Sequence, residues 1–136
     1  MSSPEFLTLE EVLALHARSL ELFGGGVGIR DLGLLESAVA APQSGFGGQY
    51  AHRWPFEMAA AYAFHIAQNQ PFVDGNKRAG LGSALLFLEL NGIELDDPQG
   101  LLYDAMIALA ERRMDKTGLA RLLEQLASAD SHFRRR

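Results

Sequence analysis

The run Asn69-Gln70-Pro71-Phe72-Val73-Asp74-Gly75-Asn76-Lys77-Arg78-Ala79-Gly80 gathers side chains whose types and spacing can do chemistry. Asp74-Gly75 predicts a tight turn, and Asn76, Lys77 and Arg78 follow as the first residues of a helix. Backbone N–H groups at a helix N-terminus lack intrahelical acceptors and attract anions, phosphate above all. Lysine and arginine in a first helical turn oppose the helix dipole, so their presence there needs another cause. A bound polyphosphate supplies one. Asp74, beside these cations, offers a hard carboxylate that can hold Mg²⁺ bridging two phosphates. Phe72 is expected to anchor the loop with its ring in the core. The plainer reading is ordinary turn chemistry followed by two solvated cations. The segment is not a P-loop, because G-x-x-x-x-G-K-[ST] is absent, and Gly24–Gly26 follow no strand.

The elements that position this segment read as helices, and no run alternates convincingly with period two. Thr8-Leu9-Glu10-Glu11 is a capping-box pattern. Leu9, Val12, Leu13, His16, Leu20 and Phe23 follow helical spacing until the Gly24–Gly26 stop. A second helix is expected from Asp31, carrying Leu34, Leu35 and Ala38, and ending before Pro42. A glycine-containing connection leads to Trp54-Pro55, which predicts a third helix with proline at its first position. Five alanines (59, 60, 61, 63 and 67) let a neighbouring backbone approach, so this helix should be the buried centre. Pro71 ends it near Asn69. A fourth helix carries Leu81, Leu85, Leu86, Leu88 and Leu90 and closes at Asn91-Gly92. Asp97-Pro98 predicts a fifth helix through about Ala110, and Thr117 a sixth. The expectation is an all-α, compact single domain of about six helices over residues 1–136. Its core spans about 7–126, with a frayed tail at 128–136 that ends in three arginines.

The 136 residues suit one domain. Seventeen acidic against twelve basic residues leave a charge of −5, which argues against direct nucleic-acid binding through a basic surface. The absence of cysteine excludes a disulfide framework, a thiol nucleophile and Cys-ligated zinc. No basic-then-apolar leader opens the chain. Its apolar-rich stretches fall short of the ~20 residues a bilayer span needs. A cytoplasmic protein without membrane contact is the expectation. His16, His52, His65 and His132 show no metal-ligand spacing, and His65 reads as a satisfied helix histidine. Trp54 and Phe56 read as core anchors.

Pro71-Phe72-Val73-Asp74-Gly75-Asn76-Lys77-Arg78 resembles the signature loop of the Fic/Doc family, and its Asn-Lys-Arg ending resembles the death-on-curing (Doc) branch. Gly28-Ile29-Arg30-Asp31, Leu34-Leu35-Glu36-Ser37-Ala38, Pro42-Gln43 and Phe46-Gly47-Gly48 resemble that branch too, as does Ser83 through Gly92. The resemblance spans roughly Leu7 to Leu126. It implies a compact helical toxin of a toxin–antitoxin module, using ATP and Mg²⁺. Fic relatives generally transfer AMP to a protein hydroxyl. The Doc branch transfers the γ-phosphate, acting as a kinase on translation elongation factor Tu and arresting translation. By the same resemblance Asp74 would help hold Mg²⁺, Gly75 and Asn76 with the loop amides would hold phosphates, and Lys77 and Arg78 would neutralise their charge.

Three departures sharpen the expectation. AMP-transferring members usually have glycine where this chain has Lys77, and a second arginine where it has Leu81. Both changes favour the kinase-like branch over AMP transfer. The family's loop also begins with a histidine, the expected general base, and here that position is Gln70. A carboxamide cannot accept a proton near neutral pH, and losing a general base typically costs ~10²–10⁴ in rate. The expectation is a nucleotide-competent but catalytically impaired protein, through inactivating substitution or natural divergence. A non-enzymatic protein that binds nucleotide or a partner is the rival reading. No [S/T]-x-x-x-E-[G/N] inhibitory pattern occurs, so inhibition would fall to a separate antitoxin laid in an apolar groove.

Overall fold

A computed structural model describes residues 3–127, so the expected 128–136 tail and His132 lie outside the described residues. Among these residues six helices carry the chain: α1 (Leu9–Phe23), α2 (Leu32–Ala40), α3 (Phe56–Asn69), α4 (Asn76–Leu90), α5 (Leu101–Ala110) and α6 (Lys116–Leu126). They form one compact, mostly helical domain, as expected. The capping box at α1 is complete. The Glu11 N–H donates to Thr8 Oγ1 at 3.1 Å, and the Thr8 N–H donates to Glu11 Oε1 at 2.8 Å. Asp31 caps α2 by accepting the Leu34 N–H at 3.0 Å.

The structure departs from sequence expectation at four joints. The connection after α2 contains a 3-10 turn, Ala41–Gln43, and a small antiparallel hairpin of β1 (Gly45–Phe46) and β2 (Gln49–Tyr50). Gly47 and Gly48 turn it with φ of 62° and 81°, the left-handed pair that a two-residue hairpin turn needs. Two-residue strands are too short to show a period. Pro55 occupies the cap of α3 rather than its first turn. α5 opens at Leu101, not at Pro98. Asp97 reaches forward to accept the Leu101 and Leu102 N–H groups at 2.8 and 3.0 Å, so its side chain serves the helix start from outside it. α6 starts at Lys116 because Asp115 caps it, accepting the Gly118 N–H at 2.7 Å.

α3 is the buried centre and packs against α2, α4, α5 and α6. Ala59, Ala60, Ala61, Tyr62, Ala63 and Ile66 are fully buried along it. Its small side chains bring α4 very close. A methyl group at Gly80 would lie 3.0 Å from the Ala63 carbonyl oxygen. Phe87 and Leu88 of α4 and Leu119 and Leu123 of α6 are also fully buried, each stabilising the fold by about 1.5–3 kcal/mol. The loop of residues 70–75 therefore hangs between the two most extensively paired helices.

Candidate active site

Pro71 ends α3 at Asn69, and Gln70 turns the chain in a left-handed conformation with φ 48° and ψ 56°. For a residue with a side chain this costs on the order of 1–3 kcal/mol, so surrounding contacts must hold it. The carbonyls of Asn69 and Gln70 accept from Arg30 Nη2 and Nε at 2.7 and 2.6 Å. The Pro71 carbonyl accepts from the Arg30 and Asp31 N–H groups at 2.6 and 3.0 Å, and the Val73 N–H donates to Gly28 at 3.0 Å. Segment 28–31 thus lies against the loop as an antiparallel bridge joining Ile29 and Phe72.

Inside the loop, Phe72 is the expected anchor, 1% exposed. Its ring stacks on His16 of α1, with centroids 3.7 Å apart and planes 6° from parallel. His16 Nε2 donates to the Asp74 carbonyl at 2.7 Å. Asn76, expected as a phosphate ligand, has both ends of its side chain occupied by Phe72. Its Oδ1 accepts the Phe72 N–H at 2.9 Å, and its Nδ2 donates to the Phe72 carbonyl at 3.0 Å. The side chain braces the loop, and the group that Asn76 offers an anion is its backbone N–H.

Gly75, with φ 77°, precedes α4, and no side chain caps the helix start. The first amides of α4 accordingly face outward without the usual Ser, Asp or Asn partner. Asp74 borders them. Its Oδ1 accepts the Gly75 N–H at 2.8 Å and its Oδ2 the Gly26 N–H at 3.1 Å. These two backbone bonds hold its carboxyl below the usual carboxylate range, with Arg78 and His16 adding to the effect. Each carboxylate oxygen keeps further lone-pair capacity, so a Mg²⁺ carried by phosphates fits here. The approach is tight: a methyl group at Gly25 would stand 2.9 Å from Asp74 Oδ2.

Lys77 is exposed and makes no hydrogen bond or ion pair among the described residues. Arg78 is exposed but has structural work, which supplies a second reason for a cation in this turn. Its Nη2 donates to Gly24 at the end of α1 at 3.1 Å, and its guanidinium lies 5.2 Å from the Phe23 ring centroid. A cation at a helix C-terminus is favourable, and four of its five N–H donors remain for other acceptors. Leu81 packs against the hydrophobic core.

His65 belongs to a different cluster. Lys116 Nζ lies 3.0 Å from His52 Nε2 and 3.1 Å from His65 Nε2. Burial, with help from Lys116 and then His52, pushes the His65 imidazole down to about 4. His52 is lowered by burial and by Lys116 against the opposing charge of Glu57, and burial lowers Lys116. Among the described residues no group of three or more His, Asp or Glu side chains is placed to share a metal. No helix there is long and apolar enough to cross a membrane. The site residues that sequence reasoning missed are His16 and Arg30. Helical spacing places His16 on the inner face of α1, and Arg30 falls in the matching segment Gly28-Ile29-Arg30-Asp31, but neither pattern gives a role.

Comparison with known proteins bears directly on this geometry. Residues 6–88 match the Fic/DOC family. The chain is also 39% identical over 127 residues to "Toxin Doc" of Mycolicibacterium smegmatis, covering 92% of this chain and 95% of that protein. The chain belongs to the Fic/Doc family. A further Fic/Doc relative, "Protein kinase doc" of Escherichia phage P1, is 33% identical over 118 residues, covering 86% of this chain and 91% of that protein. The Fic/DOC match contains the loop together with His16 and Arg30, and it ends before Lys116.

Proposed function

We propose that this Fic/Doc protein is a toxin of a toxin–antitoxin module, built to transfer the γ-phosphate of ATP to a hydroxyl of elongation factor Tu. The observation that carries this is the uncapped start of α4 beside an ionised Asp74, with Lys77 unengaged. The outer amides of residues 76–78 and Lys77 receive the polyphosphate, the spare donors of Arg78 add charge, and Asp74 holds Mg²⁺. Mg²⁺ held by Asp74 would supply neutralisation of phosphate charge. The acceptor hydroxyl attacks the γ-phosphorus, the new P–O bond forms, ADP departs, and the hydroxyl proton must leave. A histidine at position 70 would take that proton. Gln70 cannot, so it passes to water and turnover is slow. Phosphoryl transfer depends chiefly on positioning and charge neutralisation, which keeps residual activity within reach. Lys77 in a glycine position and Leu81 in an arginine position favour γ-phosphate over AMP transfer. Control by a separate antitoxin follows from the missing inhibitory pattern and from the toxin name of the mycobacterial relative.

The test is Gln70→His incubated with α- or γ-labelled ATP and elongation factor Tu. Label arriving from the γ position, with growth arrest on expression, is expected. Label from the α position alone would move the chain to AMP transfer. No label from either would leave a nucleotide-binding protein without transferase chemistry.

A further inference from the structure

We propose that Arg30 is a positioning residue, fixing the backbone from which the side chain at position 70 projects. The inference rests on the transferase reading of the loop. Gln70 is exposed, and its side chain makes no hydrogen bond among the described residues. The direction in which residue 70 points is therefore set by its backbone, and that backbone is left-handed. The Asn69 carbonyl belongs to the peptide plane before Cα of residue 70, and the Gln70 carbonyl to the plane after it. Arg30 binds one with Nη2 at 2.7 Å and the other with Nε at 2.6 Å. A guanidinium is rigid and flat, so one fork on both carbonyls fixes the two planes relative to each other. Fixing those planes fixes φ and ψ of residue 70.

The anchorage of the fork is equally direct. The Arg30 N–H donates to Pro71 at 2.6 Å, so the arginine's main chain holds the residue after position 70. On the other side, Asn69 Nδ2 donates to the Leu34 carbonyl of α2 at 3.0 Å. The start of α2 and the bridging segment 28–31 before it thus clamp position 70 from both flanks. A lysine at position 30 would keep the charge near the end of α3 but could not bind two carbonyls in one plane. Charge alone and geometry are separable by that substitution.

The experiment places Arg30→Lys and Arg30→Met in the Gln70→His chain and measures γ-phosphate transfer. With residue 70 displaced, kcat should fall about 100-fold for a shift on the order of 1 Å, while KM for ATP stays within about twofold, because the anion cradle on α4 is untouched. In parallel, the intraresidue amide-to-Hα cross-peak of residue 70, strong in a left-handed conformation, should weaken in both variants. Amide dispersion elsewhere reports folding, and Arg30→Lys serves if Arg30→Met fails to fold. An Arg30→Lys protein that keeps either its kcat or its cross-peak overturns the proposal. If Gln70→His transfers no phosphate with Arg30 present, the transferase reading fails by itself. The cross-peak in the native Gln70 background then decides the role of Arg30.

Discussion

In the loop after α3, Asp74 and Lys77 face solvent and the first amides of α4 point outward. Beside α3, the Lys116 ammonium sits between the Nε2 atoms of His52 and His65. The second cluster holds the more perturbed group, since His65 is pushed down to about 4 while Asp74 is only drawn below its usual range. Ranked by perturbation alone, the histidine cluster stands ahead of the loop on which the proposed function rests. Burial lowers the histidines and Lys116 engages their Nε2 atoms, while His52 Nδ1, left without a partner, is itself buried. The loop fixes its own shape with Asn76, His16 and Arg30, and leaves its amides and Lys77 open. A pKa perturbed by burial reports desolvation; a site also needs polar groups open to a ligand.

The largest effect that can sharpen this contrast is on turnover. Gln70→His should raise γ-phosphate transfer by about 10²–10⁴, whereas Lys116→Met should leave the rate of that revertant within about twofold. A comparable loss from Lys116→Met would make the second cluster part of the site. Next in size is Asp74→Asn, expected to weaken ATP binding about tenfold with Mg²⁺ present, on the scale of one lost charged contact. Calorimetric titration without Mg²⁺ should show little change. An equal loss with and without the ion would remove Asp74 from metal binding. Asn76→Ala should destabilise by about 1–3 kcal/mol in urea denaturation, since both Phe72 backbone groups lose their partner.

The smallest effect belongs to the histidine cluster. The unfolded imidazole of His65 titrates at 6.5 and the folded one at about 4. Between those values the unfolded chain binds a proton that the folded chain does not, so stability is full above pH 6.5 and declines toward pH 4. His52, lowered in the same direction, adds to the decline. Half-exposure keeps it small. Urea midpoints measured across this window should slope less in His65→Phe, and an unchanged slope would show that His65 does not carry the linkage.

What sequence conveyed depended on distance along the chain. Thr8 with Glu11, Pro71 against the end of α3, and Asp74-Gly75 before α4 act on near neighbours, so local rules place them. Asp97 is local too, but it serves amides four and five residues onward, and a cap-then-proline rule starts the helix too early. The residues that hold the loop come from far away. Arg30 binds carbonyls 39 and 40 positions on, and His16 reaches Asp74 across 58. Helical spacing puts His16 on the buried face of α1, but for neither residue does it show the contact, because the packing of α1 and α2 against the loop creates it. Arg78 shows a related limit: its charge was legible, but its bond to Gly24 was not.

On the proposed function, the start of α4 with Asp74 binds polyphosphate whatever residue stands at position 70. Amide chemical shifts followed during Mg²⁺–ATP titration of the native Gln70 chain test it most directly. Saturable shifts confined to residues 74–78 and their neighbours in 24–31, with a dissociation constant within about twofold of that of Gln70→His, are the expected result. Loop amides of the native chain that do not move with Mg²⁺–ATP would show that the start of α4 is not a polyphosphate site.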